Sequence, residues 1–588
     1  MPGNIISLYR ARLAREKGAV TKDWGGRLSV ALTFPNYYRL GMSNLGFQLV
    51  YRLFNERTDV VAERVFLPDS QEMPLYLSGR GGLLSLESQT PLQKFDLVAF
   101  SLSFENDYPN VLAILELGKI PLFAEERSDS CPFIMAGGIT TFLNPEPLAP
   151  FMDFFLLGEA EGALNEFINL FLEFKRGCAE RNEIALGLAR DISSLYVPSL
   201  YNPEYHKDGT LKAFLPKESL VPEKVEAVRS PAGGSVDRQV PLSTITTPDS
   251  EFGDRILVEL GRGCGRSCRF CAAGYVYRPP RTHRESDLRA SVEKAVETCG
   301  QVGLLSPAVS DTPGIEELTS LIVKRGGRFS VSSLRADALT RGLLDNLKQA
   351  GQRTLAIAPE AGSERLRRVI NKHLTRDQII EAARLISKTE DFAIRLYFLI
   401  GLPTEARDDV AELVDIVKVI KHHMIKESAP RGRIGQIRLS MNCFVPKPFT
   451  PFQWFPLEEV TSLKEKQKWL RKTLVKEGGI KVNSDVPKWA YVQTLLSMGD
   501  RRVSSILFMS HKLGGDWAKA FRFSDLNPDF FVYRPKGLNE LLPWDFIDHG
   551  ILKRHLISEY ELALKGEESD MCRVGECYRC GVCGQKGQ

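Results

Sequence analysis

Seven of the eleven cysteines in this 588-residue chain fall into two clusters. The central cluster comprises Cys264, Cys268 and Cys271. The second cluster lies close to the C-terminal end and comprises Cys572, Cys577, Cys580 and Cys583. Three thiolates in one loop can hold three irons of a 4Fe-4S cluster and leave the fourth iron open to another ligand. The central spacing therefore predicts redox chemistry at an iron with a free coordination position.

The residues around the central cysteines favour this interpretation. Glycines precede and follow Cys264, so the loop can turn tightly and present backbone amides to the sulfides. Three arginines would offset the negative charge of a bound cluster: Arg262, Arg266 and Arg269. Two alternatives remain, a zinc knuckle that takes the downstream His283 as its fourth ligand and three unrelated cysteines.

The C-terminal cluster supplies four thiols, which complete the ligand set of either a zinc ion or a second 4Fe-4S cluster. Its last three cysteines have ferredoxin-type spacing, and Cys572 would complete the set from the N-terminal side because no Cys-Pro pair follows. The remaining cysteines are dispersed among apolar or helical residues and are expected to be structural: Cys131, Cys178, Cys299 and Cys443.

Composition excludes several classes of protein. The chain is 43% hydrophobic and 26% charged, which excludes disorder as its main state, and its formal net charge of +4 does not indicate a nucleic-acid or membrane surface. No apolar run is long enough to span a membrane, and the first residues do not resemble a secretory signal. We therefore expect a cytoplasmic protein whose cysteines serve metal or redox chemistry rather than disulfides.

The elements that must position these cysteines follow an α/β pattern. In residues 1–180, short β-rich runs alternate with helical stretches, which predicts a doubly wound, Rossmann-like parallel sheet with a ligand edge at the C-terminal strand ends. Residues 181–250 are expected to form a linker or a small appendage. Residues 251–460 contain six β/α units, typical of a partial barrel. Residues 461–588 are expected to form a mixed, mostly helical domain that carries the C-terminal cysteines.

The CxxxCxxC motif, with Phe270 before its last cysteine and a predicted barrel strand before its first, resembles that of the radical S-adenosylmethionine superfamily. The resemblance implies that the unique iron of the cluster binds the amino and carboxylate groups of S-adenosylmethionine. One-electron reduction then cleaves the sulfonium to a 5′-deoxyadenosyl radical. The resemblance also implies an electron donor such as flavodoxin or ferredoxin.

The same resemblance assigns roles to residues at the predicted strand ends. Phe270 would pack on the adenine, and Ser310 with Asp311 would meet the methionine amine, although the usual Gly-Gly-Glu run is absent there. Residues expected near the carboxylate and ribose are Ser332, Ser333, Arg335 and Glu360. Residues expected to flank the adenine are Gly401 and Val445. Glu360 has an alternative role as the ion-pair partner of Arg365 or Arg395.

Residues 1–180 resemble the cobalamin-binding domain of the large cobalamin-dependent radical branch. The matching segments are Ser101-Leu102-Ser103, Gly137-Gly138 and Gly158-Glu159-Ala160-Glu161. No histidine precedes His206, so any cobalamin here would have no protein histidine on its cobalt. A scaffold that shapes the substrate entrance is the alternative. The C-terminal region from Trp544 onward resembles an uncharacterised bacterial subgroup of this branch.

A basic helix predicted after residue 460 raises the question of an RNA partner. It carries Trp469 and six basic residues: Lys464, Lys466, Lys468, Arg471, Lys472 and Lys476. Such a stripe can contact phosphates, or it can be a solvated helix face. The leading hypothesis is a radical enzyme, with methyl transfer to an unactivated carbon if cobalamin binds. The rival is a non-catalytic iron-sulfur or zinc scaffold associated with RNA or the ribosome.

Overall fold

The computed structural model describes residues 2–78, 81–230 and 240–584. Its N-terminal part is built on six strands: β1 Leu28–Phe34, β2 Val60–Phe66, β3 Leu97–Ser101, β4 Phe133–Gly137, β5 Phe154–Leu156 and β6 Leu195–Tyr196. The strand order is β2-β1-β3-β4-β5-β6, with parallel pairing throughout except between β5 and β6. Because parallel sheets are covered on both faces, their strands are apolar and buried, as β1 is along its whole length.

Eight helices accompany this sheet: α1 Pro2–Leu13, α2 Tyr38–Gly41, α3 Leu45–Glu56, α4 Met73–Ser78, α5 Tyr108–Leu117, α6 Ile139–Leu143, α7 Ala160–Arg176 and α8 Arg181–Asp191. The side chain of Asn44 caps α3 by accepting from the Phe47 amide. Helix α8 packs on α7, and β6 pairs with β5. The N-terminal unit therefore extends past the predicted boundary at residue 180.

The connecting region forms small β elements: β7 Tyr201–Tyr205, β8 Leu211–Pro216 and β9 Val225–Glu226. Strands β7 and β8 form an antiparallel hairpin. Strand β9 pairs in parallel with a strand from the far C-terminal region, β19 Ile547–Asp548. The middle of the chain is thus tied to its C-terminal region.

The second large unit contains nine strands: β10 Ile256–Glu259, β11 Gly261–Arg262, β12 Arg281–Thr282, β13 Gln301–Leu305, β14 Arg328–Val331, β15 Thr354–Glu360, β16 Ala393–Ile400, β17 Ile437–Cys443 and β18 Ile480–Ser484. The parallel sheets β10-β13-β14 and β15-β16-β17-β18 meet at a bridge between Leu334 and Ile357. The seventh barrel strand, β18, lies beyond the predicted boundary at residue 460.

Seven helices connect the barrel strands: α9 Glu285–Cys299, α10 Ile315–Lys324, α11 Arg341–Gln349, α12 Glu364–Val369, α13 Arg376–Thr389, α14 Arg407–Ser428 and α15 Val460–Lys476. Five more follow: α16 Pro487–Met498, α17 Val503–Lys512, α18 Trp517–Phe523, α19 Asp529–Val532 and α20 Lys553–Lys565. The predicted fold class, a doubly wound domain followed by a partial barrel and a mostly helical region, is confirmed.

Buried charges join the N-terminal unit to the rest of the molecule. Glu105, just after β3, forms an ion pair with Lys447 and accepts a hydrogen bond of 2.9 Å from the Gln493 amide. Glu146 pairs with Arg501 at 3.2 Å. Within the described ranges, no helix has both the length and the apolar character needed to cross a membrane.

Candidate active site

The central cysteines lie in a loop between β11 and β12, which follow the first barrel strand. Pairing of Gly261 with Thr282 and of Arg262 with Arg281 closes this loop at its base. Gly263 has φ +78°, and a side chain there would bring its Cβ within 2.6 Å of the Tyr277 carbonyl oxygen. Only glycine fits this close approach. The glycines of the motif therefore shape the loop that presents the thiols.

The three thiols line one cavity of about 150 Å³ at the C-terminal ends of the barrel strands. Four residues expected at the S-adenosylmethionine site line the same cavity: Phe270, Ser333, Arg335 and Glu360. Among the residues that the structure describes, no three His, Cys, Asp or Glu side chains converge as the ligands of a single metal ion do. The three thiols instead line the cavity together with positively and negatively charged side chains.

Electrostatics in the cavity depend on whether the thiols are ionised. Burial, with the charges of the neighbouring cysteines, raises the pKa of Cys271 to about 12. Burial also raises the pKa of Cys268, an effect that the ammonium of Lys372 partly offsets. Thiols that crowd together in this way ionise readily only when a cation binds them, as iron does. The donor set therefore fits an iron-sulfur cluster.

Glu360 faces Lys372, a residue that the sequence did not single out. The Lys372 Nζ lies 3.2 Å from the Glu360 Oε1, and only 8% of Lys372 is exposed. Burial alone would lower the pKa of Lys372, but the charges of Glu360 and Cys268 raise it. The expected alternative partners of Glu360 were wrong, because Arg365 pairs with Asp409 and no ion pair joins Glu360 to Arg395 within the described structure.

Five other predicted contact residues do not line this cavity. Asp311 forms a two-pronged ion pair with Arg266 at 2.7 and 2.8 Å, and the Ser310 hydroxyl accepts a hydrogen bond from the Arg335 amide. Ser332 lines a neighbouring cavity of about 280 Å³. The remaining two are Gly401, whose amide donates to Glu405, and Val445, which packs against the core. Their assignment to the S-adenosylmethionine site stays a prediction.

A larger cavity of about 360 Å³ lies between the N-terminal sheet and the barrel. Its wall contains Gly137, Gly138 and the Gly158–Glu161 segment at the C-terminal strand ends, and Tyr277 from the barrel. Gly138 has φ +108°, and a Cβ there would lie 2.3 Å from the Leu102 carbonyl oxygen. No histidine belongs to the part of this wall that the structure describes. The wall is therefore shaped by glycine turns and offers no imidazole ligand.

Arg262 connects this larger cavity to the cysteine loop. Its guanidinium lies 3.0 Å from Glu159, 2.9 Å from Glu161 and 2.9 Å from Glu259. Arg281, at the other end of the loop, also pairs with Glu159. The Gly158–Glu161 segment thus holds both ends of the loop that carries the thiols. His283 lies 3.8 Å from Glu259.

The four C-terminal cysteines lie in residues 571–584, which we call the tail. The tail lies against the loop between β11 and β12, which we call the central loop. The amide of Cys572 donates a 2.8 Å hydrogen bond to the Gly265 carbonyl oxygen. Cys580 is buried, with 3% exposed, whereas Tyr578 is 57% exposed. The tail therefore extends from the protein surface to the residue that follows Cys264.

The predicted basic stripe lies on α15, and most of it is exposed. Exposed members are Lys464, Lys468, Trp469, Arg471, Lys472 and Lys476. Lys466 differs, because it forms ion pairs with Glu405 at 2.6 Å and Glu458 at 2.7 Å. Four exposed lysines therefore repeat at every fourth position along one side of the helix.

Comparison with known protein families gave two matches. The family "Radical SAM proteins, N-terminal" matches residues 46–198. The family "Radical SAM superfamily" matches residues 258–417. The second match contains the three central cysteines, and the first contains the strand-end segments of the larger cavity.

Comparison with curated proteins and solved structures gave relatives at several distances. The uncharacterized protein MJ0966 of Methanocaldococcus jannaschii is 30% identical over 485 residues, which are 82% of this chain and 90% of that protein. The ribosomal protein uS12 methylthiotransferase RimO of Petrotoga mobilis is 27% identical over 30% of this chain and 42% of its own length.

Two solved structures have a similar arrangement at low sequence identity. The radical S-adenosylmethionine methyltransferase TsrM of Kitasatospora setae, with cobalamin and a 4Fe-4S cluster bound, has a TM-score of 0.42 and 14% identity over 92% of this chain and 99% of its own. The cobalamin-dependent radical enzyme OxsB, with aqua-cobalamin bound, has a TM-score of 0.44 and 12% identity over 92% of this chain and 80% of its own. TM-scores this low carry no functional argument.

Proposed function

Because this chain belongs to the radical S-adenosylmethionine superfamily, we propose that it holds a 4Fe-4S cluster through its central cysteines and cleaves S-adenosylmethionine reductively. One observation carries the proposal: three thiols share a single cavity with Phe270, Ser333, Arg335 and Glu360. When bound, the cluster supplies the electron that breaks a carbon-sulfur bond of the sulfonium. The protein supplies the thiols, the charged groups and the enclosing wall.

The charged groups of the cavity suit a zwitterionic ligand. Glu360 offers a carboxylate to an amine, and Arg335 and Lys372 offer cations to a carboxylate. Arg335 is fixed by Asp337 at 2.9 Å, so its guanidinium is oriented before any ligand enters. Phe270 adds an apolar surface on the same wall. These side chains would bind and orient the methionine part of S-adenosylmethionine and exclude water from it.

An anaerobic cleavage assay tests this proposal. The reconstituted and reduced protein should release 5′-deoxyadenosine from S-adenosylmethionine, and replacing Cys264, Cys268 and Cys271 by Ala should abolish release. The matched control replaces three dispersed cysteines by Ala: Cys131, Cys178 and Cys299. Release by the central-loop variant would contradict the proposal. Absence of release by every form would favour the scaffold hypothesis.

For the larger cavity we propose cobalamin, held without a protein ligand on cobalt. Its position at the C-terminal ends of parallel strands is where doubly wound sheets bind cofactors. It shares Gly46, Leu49, Glu259 and Arg262 with the neighbouring 280 Å³ cavity, so a ligand can extend from one into the other. A methyl group carried there would suit transfer to an unactivated carbon.

Electron paramagnetic resonance of the Co(II) form tests the cobalamin proposal. We expect no nitrogen superhyperfine pattern from a protein side chain, because the described wall contains no histidine. Exogenous nitrogen and the cofactor's own base must be excluded as sources. A protein-derived pattern would contradict the proposal, and a lack of cobalamin binding would favour a scaffold role for this domain.

A second candidate concerns the substrate, for which we propose RNA. The exposed lysines of α15 lie four residues apart, a spacing that forms a cationic stripe, and Trp469 is 41% exposed beside them. RimO, a distant relative, is named for its action on a ribosomal protein. A ribosomal protein substrate is therefore the competing outcome.

Salt dependence of RNA binding tests this substrate class. Replacing Lys468 and Lys472 by Gln should lower the slope of log affinity against log salt by about 1.4, at about 0.7 per phosphate contact on single strands. The control replaces Lys207 and Lys217, two exposed lysines outside the stripe, by Gln. Equal slopes for both variants would contradict RNA contact by α15.

A further inference from the structure

The tail contacts the central loop at two adjacent residues, Gly265 and Arg266. Cys572 donates to the Gly265 carbonyl oxygen, and the Arg266 guanidinium lies 3.2 Å from the Met571 sulfur. Ser569, next to the tail, shares hydrogen bonds with Asn371, whose amide also donates to the Ser267 carbonyl oxygen. One hydrogen bond therefore links Cys572 to Gly265, the residue that follows Cys264 in the chain.

A second contact comes from α20, the helix that leads into the tail. Arg269 of the central loop is buried and lies 3.0 Å from the Glu559 carboxylate. The same carboxylate accepts a hydrogen bond from the Ser569 hydroxyl. Because an uncompensated buried charge costs several kcal/mol, this pair keeps the two segments together. The tail thus has a fixed position beside the central loop.

Arg278 is a buried cation of the central loop that contacts helix α20, which leads into the tail. Its guanidinium donates to the Gly274 carbonyl oxygen and the Ser267 hydroxyl, lies 3.0 Å from the His555 Nε2, and only 3% of the residue is exposed. No carboxylate of the described chain lies within ion-pair distance of it.

A buried guanidinium is stabilised by a nearby anion. The groups on the tail side of Arg278 are thiols, which become thiolates when they bind a metal. The same guanidinium holds Ser267 at 2.8 Å in the central loop. Arg278 is therefore a cation placed between the two sets of cysteines.

The spacing of the tail thiols favours iron over zinc. Structural zinc sites usually pair two short cysteine motifs across an intervening segment. Here Cys577, Cys580 and Cys583 form one uninterrupted CxxCxxC run, which is the ferredoxin pattern, and Cys572 lies just before it. These four cysteines therefore suit a 4Fe-4S cluster in which each iron is bound by one cysteine.

We propose that the tail thiols hold a second 4Fe-4S cluster through which the reducing electron reaches the central cluster; this role rests on the proposed function. A one-electron donor, a low-potential flavin or iron-sulfur protein, is oxidised at the exposed tail. The electron passes from the tail cluster to the central cluster and then to the sulfonium. Its carbon-sulfur bond breaks homolytically and gives methionine and a 5′-deoxyadenosyl radical, so one electron is consumed for each bond broken.

The first test measures metal content and spin coupling in the full chain. Wild-type protein, reconstituted anaerobically, should hold about eight irons per chain, four in each cube. Replacing the four tail cysteines by Ala should remove about half of this iron. When both clusters are reduced, their paramagnetic resonance signals should be broadened by mutual coupling, and the central-loop triple Ala variant should show an uncoupled tail signal. Four irons with one zinc, or two uncoupled clusters, would overturn the proposal.

The second test separates electron delivery from cleavage. With reduced ferredoxin as donor, the tail variant should release 5′-deoxyadenosine at least tenfold more slowly than the control variant at Cys131, Cys178 and Cys299. With excess titanium(III) citrate, which can reduce the central cluster directly, the difference should shrink to less than threefold. Equal rates with ferredoxin would overturn the relay role. An intact, coupled tail cluster in a protein that never cleaves S-adenosylmethionine would instead overturn the proposed function.

A variant that keeps every thiol covers the case in which the tail variant does not fold. Arg278→Gln removes the cation beside Cys580 while retaining a donor for Ser267. The reduction potential of the tail cluster should fall, because the negative charge added on reduction is no longer offset. Arg522→Gln is the control. Arg522 lies on helix α18, and its substitution should leave that potential unchanged. The same potential in both variants would overturn the placement of a cluster at Arg278.

Discussion

The cavity beside the central cysteines and the cavity between the N-terminal sheet and the barrel are lined by different kinds of side chain. The barrel cavity, about 150 Å³, is lined by three thiols and by Lys372, Arg335 and Glu360. The interdomain cavity, about 360 Å³, is lined mainly by apolar side chains and by glycine turns at strand ends. Chemically reactive groups therefore concentrate in the smaller cavity. The larger one offers a ligand mainly apolar side chains and backbone groups.

The few charges of the larger cavity are already paired with one another. Arg262 is shared among Glu159, Glu161 and Glu259, and these contacts connect the cavity wall to the cysteine loop. In the barrel cavity, by contrast, Glu360 and Lys372 form a pair that faces the thiols. Substitutions at these positions test whether charge matters more in the barrel cavity than in the larger cavity.

The largest effect is expected at the ion pair between Glu105 and Lys447, which joins the N-terminal unit to the rest of the molecule. Lys447→Met should destabilise the protein by about 3 kcal/mol, because Glu105 would remain buried without its partner. Urea denaturation followed by circular dichroism measures this loss. Lys447→Arg, which keeps the charge, is the control. A Met variant as stable as the Arg variant would show that the pair does not hold the two units together.

The same contact predicts a dependence on pH. Burial alone would raise the pKa of Glu105, but the charge of Lys447 and hydrogen bonds from Lys447 and Gln493 lower it below its ordinary value of 4.5. A depressed pKa contributes stability above the unfolded value that is lost as pH falls through the folded one. In Lys447→Met burial should raise the pKa of Glu105, so this variant should gain stability as pH falls toward 4.5, while the wild type loses stability below 4.5; the difference in stability between the two proteins should therefore narrow as pH falls. A constant difference between the two proteins across that range would contradict this.

A smaller effect is expected inside the barrel cavity. Lys372→Met should weaken S-adenosylmethionine binding about tenfold to hundredfold, or about 1.4–2.8 kcal/mol, because Glu360 loses its counter-ion and the cavity loses a cation. Equilibrium binding to the reconstituted protein provides the measurement, with iron content as a check on the cluster. Lys388→Met, on the more exposed face of α13, is the matched control. Equal affinities would remove Lys372 from the binding site.

The next prediction concerns the volume of the larger cavity rather than the charge of its side chains. A Cβ at Gly137 would meet only the Leu156 carbonyl oxygen, at an ordinary 3.6 Å. Gly137→Ala should therefore be tolerated, whereas Gly137→Leu should fill part of the cavity and weaken cobalamin binding at least tenfold, about 1.4 kcal/mol. Spectrophotometric titration with cobalamin distinguishes them. Similar affinity for both variants would show that the ligand does not occupy this wall.

The smallest effect is expected at the rim of the larger cavity. In Glu161→Gln, Arg262 keeps Glu159 and Glu259 as partners, so stability should change by less than about 1 kcal/mol. Cluster loading should stay within twofold of wild type, as measured by iron analysis. A loss larger than that of Lys372→Met would mean that charge matters more in the larger cavity than in the barrel.

The sequence predicted the regular elements well because their apolar periodicity is strong. Six β/α units are predicted for residues 251–460, and six parallel barrel strands lie in that range, among them β16, Ala393–Ile400, which follows helix α13, Arg376–Thr389. Strand β18 was missed because its pattern is half exposed and carries no apolar run. The two-residue strand β6 is too short to have any periodicity.

The candidate site was predictable only where residue type and spacing coincide. The three central cysteines form such a pattern, and glycine runs marked the strand ends. Lys372 gave no signal, since a lysine in a loop is typical of a protein surface and only the fold turns it toward Glu360. The contact between Cys572 and Gly265 joins residues about 300 positions apart, a distance that no local pattern spans.

That contact also constrains when the protein becomes complete during its synthesis. At ribosomal rates of about 5–20 residues per second, the tail emerges about 15–60 s after the central loop it covers. During that interval Cys264, Cys268 and Cys271 belong to a nascent chain in which the tail does not yet contact the central loop. Loading of the central loop with iron and sulfide is therefore expected to finish only after translation.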